Sequence, residues 1–200
     1  MTSDVRTFSL PARVLHWLMA IMILAMLFIG VGMVASVSER HEWLLRIHKP
    51  LGIAILILAV VRLAVRLRHP PPALPADLPA VQKLAAHASH WLLYALMLAM
   101  PLIGWAMLSA GGYPVMLSDS LRLPPIFPVS PVAFAVLRHM HGWFAMLLFL
   151  TFVAHMAAAL YHGLIRHDGV LSSMVRGEKR AEAIEPVEVI ESITEPGTRP

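Results

Sequence analysis

Four long apolar stretches constrain this chain more than any other feature. They run from about Val14 to Val37, from about His48 to Arg66, from about His87 to Ser109 and from about His139 to Ile165. Each is close to the roughly 20 residues that an α-helix needs to cross a bilayer core at about 1.5 Å per residue. Hydrocarbon offers no partner for backbone N–H and C=O groups, so such stretches must be helical throughout. The expectation is an all-α integral membrane protein built as a four-transmembrane-helix bundle. Pro101, inside the third stretch, should bend it locally, because the ring removes a backbone donor and crowds the preceding turn.

Composition supports this reading. Of 200 residues, 58% are hydrophobic and 14% charged, against roughly 25% charged in an ordinary soluble domain. So small a soluble fold cannot bury that much apolar surface, and lipid contact follows. The formal charge of +4 raises the question of nucleic acid. The basic residues, however, cluster at the ends of apolar runs, which points to membrane anchoring and to no nucleic-acid partner. The chain has no cysteine, which excludes disulfides, zinc–thiolate sites, iron–sulfur clusters and covalent c-type haem attachment. The first apolar run is too long for a cleavable signal peptide and is read as the first span.

Lys and Arg set the expected orientation. Arg6, Arg13, Arg62, Arg66, Arg68, Lys83, Arg166, Arg176, Lys179 and Arg180 fall on one side. The other carries Arg40, Arg46, Lys49, Arg122 and Arg138, offset by Glu39, Glu42 and Asp119. The richer side is expected to be cytoplasmic, with both termini and the loop between spans two and three. That loop, His69 to Pro79, is proline-rich and should be extended. The segment from about Ala110 to Pro131 should be irregular and face outward. Residues 1–170 are thus expected to form the membrane domain, and 176–200 a charged, disordered cytoplasmic tail.

Eleven histidines in so apolar a protein require an explanation. Ionisable groups within spans are costly and tend to face the bundle interior with a partner. Imidazole is also an axial haem ligand, and helical bundles build cofactor sites from facing helices. His141 and His155 are fourteen residues apart, which places them on nearly one helix face, roughly 21 Å apart along the axis. That spacing suits two haems sharing one helix. His16, at the cytoplasmic start of span one, matches His155 in depth, and His48, at the outer start of span two, matches His141. Four unrelated interfacial histidines remain the plainer alternative. His139 remains an alternative to His141, although it points to a different helix face.

The segments R-x-x-H-W-L-x-A at Arg13 to Ala20, I-H-K-x-L-G at Ile47 to Gly52 and V-R-L-x-x-R-L-R-x-P-P-P at Val61 to Pro72 occur in this order. They are followed by A-H-x-x-H-W-L-L-Y at Ala86 to Tyr94, and by H-G-W at His141 with a histidine fourteen further on. Together they resemble the prokaryotic cytochrome b561 family over about Phe8 to His167, and are similar to the haem subunits of formate dehydrogenases and nickel–iron hydrogenases. The resemblance implies two b-type haems with bis-histidine ligation mapping onto His16, His48, His141 and His155. It also implies location in the bacterial inner membrane and quinone chemistry, with ubiquinone as electron acceptor. The tail after His167 lies outside the resemblance.

Around the haems, His87, His90 and His162 are candidates to line a quinone site, with interfacial bonding to water or headgroups as the alternative. Arg62 and Arg66, one turn apart, are candidates to bind haem propionates, with snorkelling to headgroups as the alternative. Gly52 and Gly142 could admit a porphyrin or simply close helix packing. The thirteen methionines read as apolar filler. Two functions follow from the resemblance. One is an oxidoreductase passing electrons from a periplasmic donor to quinone, the donor being a small anion such as superoxide, or a protein. The other is a haem anchor subunit for a partner dehydrogenase. A haem-free transporter or sensor stands apart from both.

Overall fold

The structure, a computed structural model, describes residues 7–118 and 120–177; the tail expected to be disordered lies almost wholly outside the described residues. Four long helices dominate: α1 (Leu10–Val34), α2 (Glu39–Arg68), α3 (Ala80–Ala110) and α4 (Pro131–Tyr161). All four are long and apolar enough to cross a membrane. α4 runs into a π-helical turn, His162–Arg166, and a short helix α5 (Val170–Val175) follows. Two strands, β1 (Val115–Met116) and β2 (Arg122–Leu123), pair antiparallel with Val115 opposite Leu123.

The helices overrun the apolar stretches at most ends. α2 starts at Glu39, nine residues before His48, and α4 starts at Pro131 rather than near His139. Hydropathy marks the lipid-facing run, whereas the helix continues into the interface, where its backbone still prefers internal bonding. Pro50 therefore lies inside α2, although proline more often marks a helix's first turn. Pro101 is internal to α3, as the sequence suggested. α4 begins at a cap: Ser130 Oγ accepts the Ala133 N–H at 3.2 Å, and Pro131 follows where no N–H is needed.

The segment between α3 and α4 is tied down more than an irregular loop would be. Ser130 N–H donates to Ala110 O at 2.9 Å, joining the two helix ends. Ser109 Oγ accepts the Ile126 N–H at 3.1 Å, and Trp105 Nε1–H donates to Pro124 O at 2.9 Å. At the opposite end, Arg13 Nη2 donates to Val175 O at 2.6 Å and Trp17 Nε1 to Met174 O at 3.2 Å. Arg166 also donates to Asp77 of the α2–α3 connection, so the start of α1, that connection and the end of α4 share one end of the bundle.

The closest helix packing runs α1 on α2, α2 on α3 and α3 on α4. Met19, Ile23, Ile55, Ala59, Tyr94 and Met97 form the buried core, with Leu51, Leu58 and Phe152 against it. The outward faces carry exposed apolar side chains such as Ile21, Phe28, Val31, Trp143 and Leu164. In water such a surface would drive aggregation, whereas in lipid it is the expected solvent-facing surface.

Candidate functional site: two facing histidine pairs

The histidines that match in depth also face one another. His16 of α1 and His155 of α4 have ring centroids 6.3 Å apart, and His48 of α2 and His141 of α4 are 6.1 Å apart. A metal-bound imidazole nitrogen lies about 2 Å from its metal, so two rings on opposite sides of one ion have centroids roughly 6 Å apart. Among the described residues no three His, Cys, Asp or Glu side chains gather as an all-protein metal cage. Facing pairs are the arrangement suited to an ion that brings its own equatorial ligands, as haem iron does.

The surroundings of the pairs differ. At the His48–His141 pair, Nδ1 of His48 and Nδ1 of His141 are buried without a hydrogen-bond partner, a cost of about 1–3 kcal/mol each if left so. Gly104 of α3 backs onto His141: a Cβ there would meet the ring's Cε1 at 3.3 Å. Sequence reading missed Gly104, because the contact depends on how α3 is rotated against α4. Gly142, by contrast, meets nothing within 4 Å, and Gly52 meets only Met26 Cε at 3.8 Å. His139 is exposed and lines a shallow groove with Phe134, Arg138, Gly142, Trp143 and Met146, away from His48.

On the cytoplasm-facing side of the expected topology, Arg62 Nη2 donates to His16 Nδ1 at 2.7 Å. The guanidinium of Arg62 also lies 5.4 Å from the Tyr94 ring centroid. Arg66 lies over the same tyrosine at 5.5 Å and over Trp91 at 5.7 Å, a pair of cation–π contacts. Tyr94 thus collects both arginines, a role only its tertiary position reveals. His90 packs edge-on against His155 at 5.2 Å, nearer than two rings on opposite sides of one metal ion would be.

The three quinone-site candidates are not brought together. His87 is exposed, and its Nδ1–H donates to the Lys83 carbonyl at 2.7 Å. His90 lies beside His155, as above. His162, at the start of the π-helical turn, donates from Nδ1 to Asp168 Oδ2 at 2.6 Å. Asp168 also pairs with the Arg166 guanidinium, Nε to Oδ2 3.2 Å, and its Oδ1 accepts the Val170 N–H at 3.2 Å. Burial pushes the Asp168 carboxyl up, but the His162 and Val170 hydrogen bonds and the charges of His162 and Arg166 outweigh it and hold the group below its ordinary value.

A membrane bundle of four helices that brings imidazoles face to face across its interior has the architecture of the helical b-type cytochromes. The chain belongs to the prokaryotic cytochrome b561 family, whose profile matches residues 7–177. Members of that family are membrane haem proteins of electron transport that bind b-type haem. The chain is 29% identical over 163 residues to the Yersinia pestis protein named "Probable superoxide oxidase CybB", covering 80% of this chain and 91% of that one. It is 29% identical over 178 residues to cytochrome b561 homolog 2 of Escherichia coli strain K12, covering 87% and 94%. It is 27% identical over 175 residues to cytochrome b561 homolog 1 of the same organism, covering 86% and 98%.

Proposed function

We propose that this chain carries electrons across the bacterial inner membrane through two b-type haems, from a periplasmic donor to membrane quinone. The observation that carries the reading is the pair of facing imidazole sets at two depths, 6.3 and 6.1 Å between ring centroids. His16 and His155 hold the haem on the cytoplasmic side, and His48 and His141 the one on the periplasmic side. The positive-inside distribution of Lys and Arg supports cytoplasmic termini.

The residues present fit the cofactor. Nδ1 of His48 and Nδ1 of His141 lack a hydrogen-bond partner in the bundle, so these ring atoms are not satisfied by the polypeptide. Gly104 backs the outer pair at His141. Haem supplies an iron that cycles between ferrous and ferric, and its potential responds to charge and hydrogen bonding around the ligands. Arg62 and Arg66, stacked on Tyr94, supply positive charge on the cytoplasmic side that suits haem carboxylates.

Superoxide is the donor this reading favours, on two grounds. One relative bears the name of a superoxide oxidase, and exposed Arg40, Arg46, Arg122 and Arg138 occupy the outward side. Such charges draw a small anion toward that face. Two superoxide ions, one quinone and two protons then yield two dioxygen molecules and one quinol, with ubiquinone as the quinone. The test is a pulse of superoxide delivered to the purified oxidised cytochrome while haem absorbance is followed. The haems should be reduced, more slowly as salt rises; no reduction at any ionic strength overturns superoxide as the donor.

A further inference from the structure

The first turns of α4 carry a feature that neither histidine pair uses. Arg138, His139, Gly142, Trp143 and Met146, with Phe134, line a groove of about 650 Å³, within the roughly 300–1,000 Å³ of small-molecule sites. Its walls are two rows of side chains spaced by helix turns. Phe134, Arg138 and Met146 form one row, and His139 and Trp143 the other. Gly142 interrupts the first row, and nothing lies within 4 Å of where its Cβ would be. The hollow opens away from the bundle: Trp143 is 74% and Met146 55% exposed.

The groove is polar at one end only. Arg138 and His139 are exposed, and among the described residues neither makes a hydrogen bond or an ion pair. Arg138 stands seven residues beyond Pro131, the start of α4, and roughly 10 Å along the axis, where the long apolar stretch begins. Met146 lies eight residues, roughly 12 Å, further toward the hydrocarbon. A cation at headgroup level above an apolar channel matches a phospholipid in charge and in depth. Arginine donates to a phosphate through two N–H groups at once. The neutral His139 ring supplies one further N–H. A zwitterionic headgroup brings its own cation to the same place, so an anionic one fits better. A second copy of the chain fits worse. Symmetric copies in one membrane share an axis along its normal, which sets Arg138 at the same depth as its counterpart, charge against charge.

We propose that this groove binds an anionic phospholipid, its phosphate held by Arg138 and His139 and an acyl chain laid over Gly142 between Trp143 and Met146. The groove lies on a different face of α4 from the His141 ring, which faces His48. The lipid thus covers the stretch of helix that presents His141 without entering the histidine pair.

The test is native mass spectrometry of the delipidated full chain with its haems. The probes are dioleoyl phosphatidylglycerol, dioleoyl phosphatidylcholine and glycerol phosphate. The wild type should bind one phosphatidylglycerol at least about tenfold more tightly than phosphatidylcholine, and glycerol phosphate far more weakly than either. Arg138→Gln should weaken phosphatidylglycerol about tenfold, the loss of a charge-assisted hydrogen bond, while Arg138→Lys should keep most of the affinity. Trp143→Ala, which removes one wall, should weaken it severalfold. All three variants should keep the wild-type haem content. Equal affinity for the two lipids overturns the site, since the groove would then hold only bulk lipid. Unchanged phosphatidylglycerol affinity in Arg138→Gln overturns it too. Glycerol phosphate binding as tight as that of the lipid also overturns it, in favour of a free-anion site. The chain has no cysteine of its own, so Trp143→Cys reports on a second copy. Disulfide-linked dimers forming readily in membranes would assign the groove to a partner chain and overturn the lipid site.

Discussion

Arg62 Nη2 lies 2.7 Å from His16 Nδ1, joining α2 to α1 at the His16–His155 pair. Arginine is a donor only, so in this contact His16 accepts at Nδ1 and carries its proton on Nε2. A neutral imidazole that binds iron through Nε2 has the opposite tautomer. Ligation at His16 therefore requires Arg62 to release Nδ1, and the Tyr94 face, 5.4 Å away, is where its charge can remain.

That charge should tune the inner haem. Arg62→Gln is expected to lower the reduction potential of one haem by on the order of 50 mV, as removal of a nearby partly buried positive charge implies. The other haem should be unmoved, and Arg62→Lys should retain most of the wild-type value. Spectroelectrochemical titration of the three proteins measures this, and equal shifts of both haems would argue against an inner-side location for Arg62.

Gly104 is predicted to guard the outer site. A branched side chain there must displace the His141 ring, since even a Cβ would sit 3.3 Å from Cε1. Gly104→Val should bring haem content from about two per chain toward one. Gly30, with nothing within 4 Å of its would-be Cβ, is the control: Gly30→Ala should leave haem content unchanged.

The choice between neighbouring histidines gives a third test. His139 is exposed on the groove beside Trp143, whereas the His141 ring faces His48. His141→Ala should lose the outer haem, while His139→Ala should keep both, as read from the visible spectrum of each purified variant. Loss of a haem in His139→Ala would exchange their roles.

Asp168 carries a pH prediction. Its carboxyl is held below the ordinary value in the folded protein, so its contribution to stability is complete above the ordinary carboxylate pKa and is lost as pH falls through the lowered one. Wild type should exceed Asp168→Asn by on the order of 1 kcal/mol near neutrality, a charge-assisted hydrogen bond weakened by solvent screening. The two should converge in strong acid. Thermal denaturation in detergent at several pH values measures the difference.

Much of this architecture could be read from the residues, for a physical reason: lipid is a severe solvent, and four uninterrupted apolar runs have few other solutions. The depths of His16, His48, His141 and His155 followed from the fourteen-residue spacing and the order of spans. Helix ends were harder to read, because the interface tolerates polar turns such as those from Glu39 to Arg46. The side chains that touch these histidines from neighbouring helices were not legible. Whether Arg62 meets His16, Gly104 backs His141 or Asp168 returns to His162 depends on helix rotation, and in the last case on two left-handed residues after a π-turn.

The central claim is that four histidines, in two pairs, hold two haems. Haem-to-protein stoichiometry of purified wild type and His155→Ala, measured with the reduced-minus-oxidised spectrum, tests it most directly. The account predicts two b-type haems in the wild type and one in the variant, the survivor keeping the spectrum of a bis-histidine haem. A wild type without redox-responsive haem bands, or a His155→Ala protein that retains both haems, would contradict it.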